Sequence, residues 1–544
     1  MRPVERDPVL DTLEPSPSRP RRRSAPRSLI AGATVVGALT VLPALYLVVR
    51  SWEGGPDTIL DTILDARTAG LLVRTIGLAL AVTATAVAMS LPLAWLTERT
   101  DLPGRRAWTV LLALPLVIPT YVGGYVFVAA LGPRGLLQQL LEPIGVMRLP
   151  SIYGFGGAWL VLTLFTFPYV YLTARAALRG LDPALEEASM ALGRSRRETM
   201  RSVVLPQLRP SVAAGSLLVS LYVLHDFGAV SLLRFDSFTR AIYMQYTGSF
   251  DRSRAAILGL LLICVTGVLL SGERRARTRA AYYRAQGSAP RIPTRSALGR
   301  RRWPAFAACA LLVTVALGVP IAVIAYWLAR GVRAGETTGV AFAAAGRSLQ
   351  ASGLAAGAAV IAAWPISVLT VRYPSRLTRA LERASFIGYA LPGLVVALAL
   401  VFVGARYVPT LYQTRTMLVF AYVVLFLPQA AGALRAGLLQ LNPQIEEAAH
   451  SLGSGRIETL RRVVLPLVRP GMLTGAALVF LTTMKELPAT LLLAPTGFAT
   501  LSTEVWSATN SASFARAAMP ALLLIVLAAG PLAVMLLRGR VSER

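Results

Sequence analysis

The chain has 544 residues, 55% hydrophobic and only 15% charged, with 55 Lys plus Arg against 27 Asp plus Glu and a formal net charge of +28. That is long enough for two or more domains but too apolar for ordinary soluble ones, so composition reads as a membrane protein. Two cysteines and two histidines leave no disulfide framework, no metal-ligand spacing and little room for histidine-based catalysis, and nucleic acid is not the expected partner, because the arginines lie mainly between apolar stretches.

Residues 1–28, rich in Pro, Ser and charge, read as a disordered cytoplasmic tail. The apolar run at 29–49 is longer than a cleavable signal core and is expected to be the first span. Residues 51–65 carry Glu53, Asp57, Asp61 and Asp65 without a basic residue, which suits an outer loop. Spans two to six are expected at 75–96, 108–131, 155–176, 212–233 and 255–270, with a polar, arginine-rich loop at 181–210 between the fourth and fifth. Ten arginines lie between Arg274 and Arg302. Together with Gly272, Gly287, Pro290, Pro293 and Gly299 they mark 271–303 as a flexible cytoplasmic linker. Six further spans are expected at 306–328, 349–370, 389–403, 417–434, 473–493 and 518–537. The arginine distribution then puts both termini in the cytoplasm. The expected fold is all-α and polytopic, with about twelve transmembrane helices in two parallel homologous halves, at 29–270 and 304–544.

The halves repeat one another. Pro92 in SLPLAWLT matches Pro365 in AWPISVLT at an offset of 273, and ALP at 113–115 resembles ALP at 390–392. LDPALEEASMALGRSRRETMRSVVLPQLRP at 181–210 and LNPQIEEAAHSLGSGRIETLRRVVLPLVRP at 441–470 share 17 of 30 positions at an offset of 260. The offset falls because the first half has a longer external loop after its third span. Parallel repeats imply a pseudo-two-fold axis along the membrane normal and a pathway where the halves meet.

In each copy of the polar loop, Asp182 or Asn442 can cap a helix that opens with Pro183 or Pro443. Glu186 and Glu187, or Glu446 and Glu447, then fall near its positive terminus, with Ala188 or Ala448 beside them. Gly193 and Gly453 suit a helix exit, and a second helix returns toward Leu205-Pro206 or Leu465-Pro466. The expected shape is a polar knob on the cytoplasmic face with its charges outward. Two copies imply two equivalent docking sites for a symmetric soluble dimer.

On these residues the chain resembles the fused permease subunits of binding-protein-dependent ABC importers. The carrying pattern is Glu187-Ala188-Ser189, Gly193 and Val204-Leu205-Pro206, repeated as Glu447-Ala448-Ala449, Gly453 and Val464-Leu465-Pro466. The resemblance implies that each loop inserts a coupling helix into one subunit of an ABC ATPase homodimer, and that an extracytoplasmic binding protein captures the substrate. The chain is expected to have no catalytic residue, no bound cofactor and no nucleic-acid partner, and to sit in lipid as a multi-pass protein of the cytoplasmic (inner) membrane. ATP would be used by the partner: Lys485 is the only lysine, so no phosphate-cradling G-x-x-x-x-G-K-[ST] occurs.

Intramembrane charge points to pathway or gate. Asp226 aligns with Glu486, and His225 with Lys485, at the 260 offset; Gly228 and Pro488 two residues on can interrupt a helix. A structural or gating role is the first expectation for these acids and direct substrate contact the second, while the metal-ligating residues stay unassigned. DFGAVSLLRFDSFTRAIY and KELPATLLLAPTGFATLSTEVW resemble iron(III) importer permeases and their thiamine-transporting relatives, which makes iron the expected cargo. Thiamine, polyamine, phosphate and sulfate follow as alternatives, and a proton-coupled secondary transporter is the alternative of another class.

Overall fold

A computed structural model of the chain describes residues 25–249, 251–280, 296–336 and 339–541. The expected tail at 1–28 lies outside the described residues up to position 24, and so does the middle of the linker. Among the described residues the regular structure is helical, with one isolated bridge between Thr100 and Ser296.

Nine helices there are long and apolar enough to cross a membrane: Arg27–Glu53, Ala66–Arg99, Phe155–Arg179, Arg196–His225, Arg252–Gly272, Gly299–Arg333, Gly339–Arg372, Arg415–Gln440 and Ile457–Met484. A pair bent by 92°, Arg105–Val117 with Thr120–Ile144, and two shorter apolar helices, Gly393–Tyr407 and Phe514–Gly530, supply the remaining elements. All twelve expected spans therefore have a helix or a helix pair behind them. They are numbered one to twelve in chain order below.

Three expectations need correction. The third span is broken rather than straight: Pro115 and Pro119 flank the bend, where Ile118 and Pro119 are extended. The fifth and eleventh spans stop at His225 and Met484, earlier than expected, and short helices Gly228–Leu232 and Pro488–Leu493 follow the breaks. The register of the third and ninth spans also differs. Extended Leu391 and Pro392 precede the helix Gly393–Tyr407 just as Ile118 and Pro119 precede Thr120–Leu131. Pro119 thus corresponds to Pro392 at the offset of 273, and the two ALP triplets are not equivalent.

Proline recurs inside matched spans. Pro92 and Pro365 lie in spans two and eight, Pro168 and Pro428 in four and ten, and Pro210 and Pro470 in five and eleven. Close helix approach is duplicated too. A Cβ on Gly215 would stand 2.8 Å from the Val170 Cα, and one on Gly475 3.2 Å from the Ala430 Cα, so spans five and eleven press backbone to backbone on four and ten.

The two halves interlock. The first span lies on spans eight and nine of the opposite half, and the seventh packs on the bent third span and on the twelfth. Gly32 faces Pro365, Tyr46 meets Phe402 with ring centroids 6.1 Å apart, and Trp108 meets Phe306 edge-on at 5.1 Å. The Tyr125 hydroxyl donates to the Phe514 carbonyl at 2.9 Å. A continuous apolar core runs through both halves.

Candidate functional site

Both polar loops form the expected helix, turn and return helix. Asp182 caps Pro183–Ala191 by accepting from the Ala184 N–H at 3.0 Å, and Asn442 caps Pro443–Ser451 by accepting from the Gln444 N–H at 3.0 Å. Gly193 and Gly453 take φ of +83° and +85°, the left-handed exit that glycine adopts without a Cβ clash. In the first copy the return helix opens on a reciprocal cap between Ser195 and Glu198.

Glu187, Ala188, Gly193, Glu447, Ala448 and Gly453 all face solvent. Apolar side chains share that surface: Leu192 is 85% and Leu452 87% exposed, with Leu185, Met190 and Ile445 beside them. Each loop therefore ends in an uncovered apolar tip edged by a carboxylate, a surface that suits a protein partner. Glu186 and Glu446 do not belong to it. The expectation that all charges point outward fails for these two, because Glu186 turns in to Arg99 at 3.0 Å and Glu446 turns in to Arg372. The reason is helical spacing: residues 186 and 187 sit about 100° apart around the helix, so neighbouring acids face different ways.

The second locus is a cavity of about 270 Å³ between the halves. It is walled by the bent third span, spans four and ten, and the breaks after spans five and eleven. Asp226, Lys485 and Glu486 all line it, together with His225, Tyr121, Tyr222, Gln429 and Thr482. Asp226 Oδ1 accepts from the Ala229 and Val230 N–H groups at 3.0 and 3.2 Å, while the Thr120 hydroxyl donates to Oδ2. Its carboxylate thus caps the short helix after the break and ties it to the start of Thr120–Leu131. Glu486 Oε1 caps the matching short helix through the Ala489 N–H at 2.8 Å.

The difference between the two acids is compensated across the contact. Thr120 reaches the shorter Asp226; at the position corresponding to Thr120 stands Gly393, where a Cβ would be 2.7 Å from Glu486 Oε1. The Asp226 carbonyl accepts from Thr239, and the Glu486 carbonyl from Ser502. Phe238 N–H donates to Thr75 and Leu501 N–H to Ser348, so the return segments are pinned alike.

Lys485 breaks the symmetry. Its ammonium crosses to the first half and donates to the Leu116 carbonyl at 2.6 Å, an acceptor freed by the bend in the third span. His225 occupies the matching position without a hydrogen bond at Nε2. Among the described residues no three His, Cys, Asp or Glu side chains come together as a metal-binding group. The cavity is lined mainly by apolar side chains, and the two acids that reach it are held by backbone N–H donors.

Sequence reasoning missed Arg99 and Arg372 as members of the loop assembly. Their shared offset of 273, the same as that of Pro92 and Pro365, was the available signal.

The sequence pattern of the binding-protein-dependent transport system inner membrane component family matches residues 90–334 and again residues 355–541. The chain belongs to that family. Each match brackets one polar loop and one cavity-lining break of the permease. It is 35% identical over 501 residues to an Fe(3+)-transport system permease protein of Haemophilus influenzae, covering 91% of this chain and 95% of that protein. A ferric transport system permease protein of Actinobacillus pleuropneumoniae is 24% identical over 69% of this chain and 57% of its own length. A probable molybdenum ABC transporter permease protein of Haloferax volcanii is 30% identical over 44% of this chain and 87% of its own length. The fused, duplicated architecture is that of a multi-pass membrane transport subunit.

Proposed function

We propose that this permease forms the membrane pathway of an ATP-driven importer for iron(III). The observation that carries the cargo is the 35% identity to an Fe(3+)-transport permease, which runs through both halves and covers nearly all of both chains. The matched molybdenum permease corresponds to less than half of the chain, so its cargo is a weaker guide.

In this reading, residues 29–270 and 304–544 are the two permease halves, 271–303 joins them in the cytoplasm, and both termini are cytoplasmic. The exposed faces of the loops, with Glu187 and Glu447 at their edges and Gly193 and Gly453 at their exits, dock into the two subunits of an ABC ATPase. ATP is bound and hydrolysed there, and the permease itself holds no cofactor. An extracytoplasmic binding protein delivers iron to the outer mouth. ATP binding draws the ATPase subunits together, the loops follow, and the halves shift so that the cavity at Asp226, Lys485 and Glu486 opens to alternate sides. Specificity resides chiefly in the binding protein, since the cavity acids are already engaged by N–H groups and present no oxygen cage of the kind a hard cation prefers.

The test is uptake of radiolabelled iron by proteoliposomes that contain the permease, its ATPase and its binding protein, with ATP on the ATPase side and each protein omitted in turn. Uptake that requires all three is the expected result. ATP-driven uptake of molybdate or thiamine but not of iron would overturn the cargo, and uptake without the ATPase would overturn the class.

A further inference from the structure

Arg99 and Arg372 end the second and eighth spans at the cytoplasmic face. The Arg99 side chain is 4% exposed and reaches two partners. Its Nη2 donates to the Leu178 carbonyl in the last turn of the fourth span at 3.0 Å, and lies 3.0 Å from Glu186 in the helix of the first polar loop. Arg372 makes the equivalent pair with Glu446 in the second loop. The partners are 87 residues apart in one half (186 − 99) and 74 in the other (446 − 372), so the contact is kept although an intervening loop changed length. Further ion pairs brace the same level: Glu98 with Arg175 and Arg179 in the first half, Glu382 with Arg435 in the second.

Along the chain each loop helix leaves in two directions, upstream to span four or ten through the non-helical links 180–182 and 441–442, and downstream through the return helix, and both routes are interrupted. The return helices pass at once into five-residue π turns, Met200–Val204 and Leu460–Val464. Pro206 and Pro210, or Pro466 and Pro470, then remove N–H donors from the following helix. Such interruptions are where helices bend. The ion pairs, buried at Arg99 and half-buried at Arg372, instead tie each loop helix sideways to the last turn of a 34-residue α-helix, where the prolines Pro92 and Pro365 lie seven residues further in (99 − 92, 372 − 365).

We propose that Arg99 and Arg372 are positioning residues that deliver movement of the two loop helices into the second and eighth spans. This rests on the ATP-driven reading above. Spans two and eight pack along spans four and ten. Those in turn carry Phe165 and Tyr169 of span four, and Leu425, Phe426 and Gln429 of span ten, into the wall of the cavity. The route runs from loop helix to arginine, to the paired spans, to the cavity.

The experiment uses the complete reconstituted importer and measures iron taken up and ATP hydrolysed in the same vesicles, alongside copurification of the ATPase. Arg99→Gln with Arg372→Gln is expected to lower iron taken up per ATP by about tenfold or more while the ATPase still copurifies. Exchanging the charges in both halves, Arg99→Glu with Glu186→Arg and Arg372→Glu with Glu446→Arg, is expected to recover most of that ratio. Should the glutamine pair fail to assemble, Glu186→Gln with Glu446→Gln carries the test, because it removes the charge and leaves Arg99 on the Leu178 carbonyl. A ratio within about twofold of the unaltered permease, in whichever variant assembles, overturns the proposal: breaking the pairs would then change the amount of complex and not its coupling. No ATP-dependent uptake by the unaltered complex would instead overturn the importer reading itself.

Discussion

Three hydrogen bonds converge on the Asp226 carboxylate, and they fix what that residue does for the fold. Removing it strands two N–H groups in a buried setting, where each unsatisfied group costs about 1–3 kcal/mol, and leaves the Thr120 hydroxyl only its 3.4 Å contact with the Tyr222 hydroxyl. Asp226→Ala is therefore expected to lower the detergent melting temperature and the yield of monodisperse permease. Asp226→Asn, which keeps an acceptor for both N–H groups and a polar partner for Thr120, should stay close to the unaltered protein in both. Fluorescence-detected size exclusion over a temperature series measures the difference. If Asn instead abolished iron uptake at unchanged stability, the negative charge would be a pathway ligand and not a helix cap. The same logic holds for Glu486, with Gly393 as the residue that leaves it room.

At the level of elements, the polar loops act as units because their turns hold them in one shape. Gly193 and Gly453 sit at φ of +83° and +85°, and a Cβ in that region costs about 1–2 kcal/mol per residue. Gly193→Ala with Gly453→Ala should shift the loop helices against the return helices and displace the apolar tips at Leu192 and Leu452. The expected outcome is weaker binding of the ATPase, read by titration in detergent, with membrane insertion unchanged. Undiminished affinity would show that the tips are not the docking surface. The π turns beside these loops are a second element-level feature, present at matched positions in both halves.

For the whole molecule, the interlocked first and seventh spans decide how the halves stay together. Because the first span lies on the second half, and the seventh on the third span, the peptide link is not the principal bond between them. Cutting the gene between Gln286 and Gly287 and expressing both pieces together should yield a permease that copurifies as one particle and retains most of its transport. Deleting residues 1–53 from the first piece should prevent that association. Copurification undiminished by the deletion would count against the interlock. The cavity lies between the halves, so any movement of one against the other changes its walls.

The sequence by itself determined a great deal here, and for a physical reason: a bilayer demands long apolar helices, so the apolar helices, their order and the duplication were legible from hydropathy and from the offsets of 273 and 260, although among the described residues nine of them, or ten with the bent pair, are long and apolar enough to cross. The caps at Asp182 and Asn442 and the exits at Gly193 and Gly453 were legible too, because they depend on neighbouring residues only. Breaks were foreshadowed by Gly228 and Pro488, but the bend of 92° in the third span was not, since proline beside an apolar run permits either a kink or a break and packing chooses. Only the tertiary structure decided which acids face solvent and which face the protein. It turned Glu186 to Arg99 across 87 residues, sent Lys485 to the Leu116 carbonyl of the other half, and matched Thr120 with Asp226 where Gly393 meets Glu486. Those contacts join residues far apart in the chain, and hydropathy, which is a local property, carries no information about them.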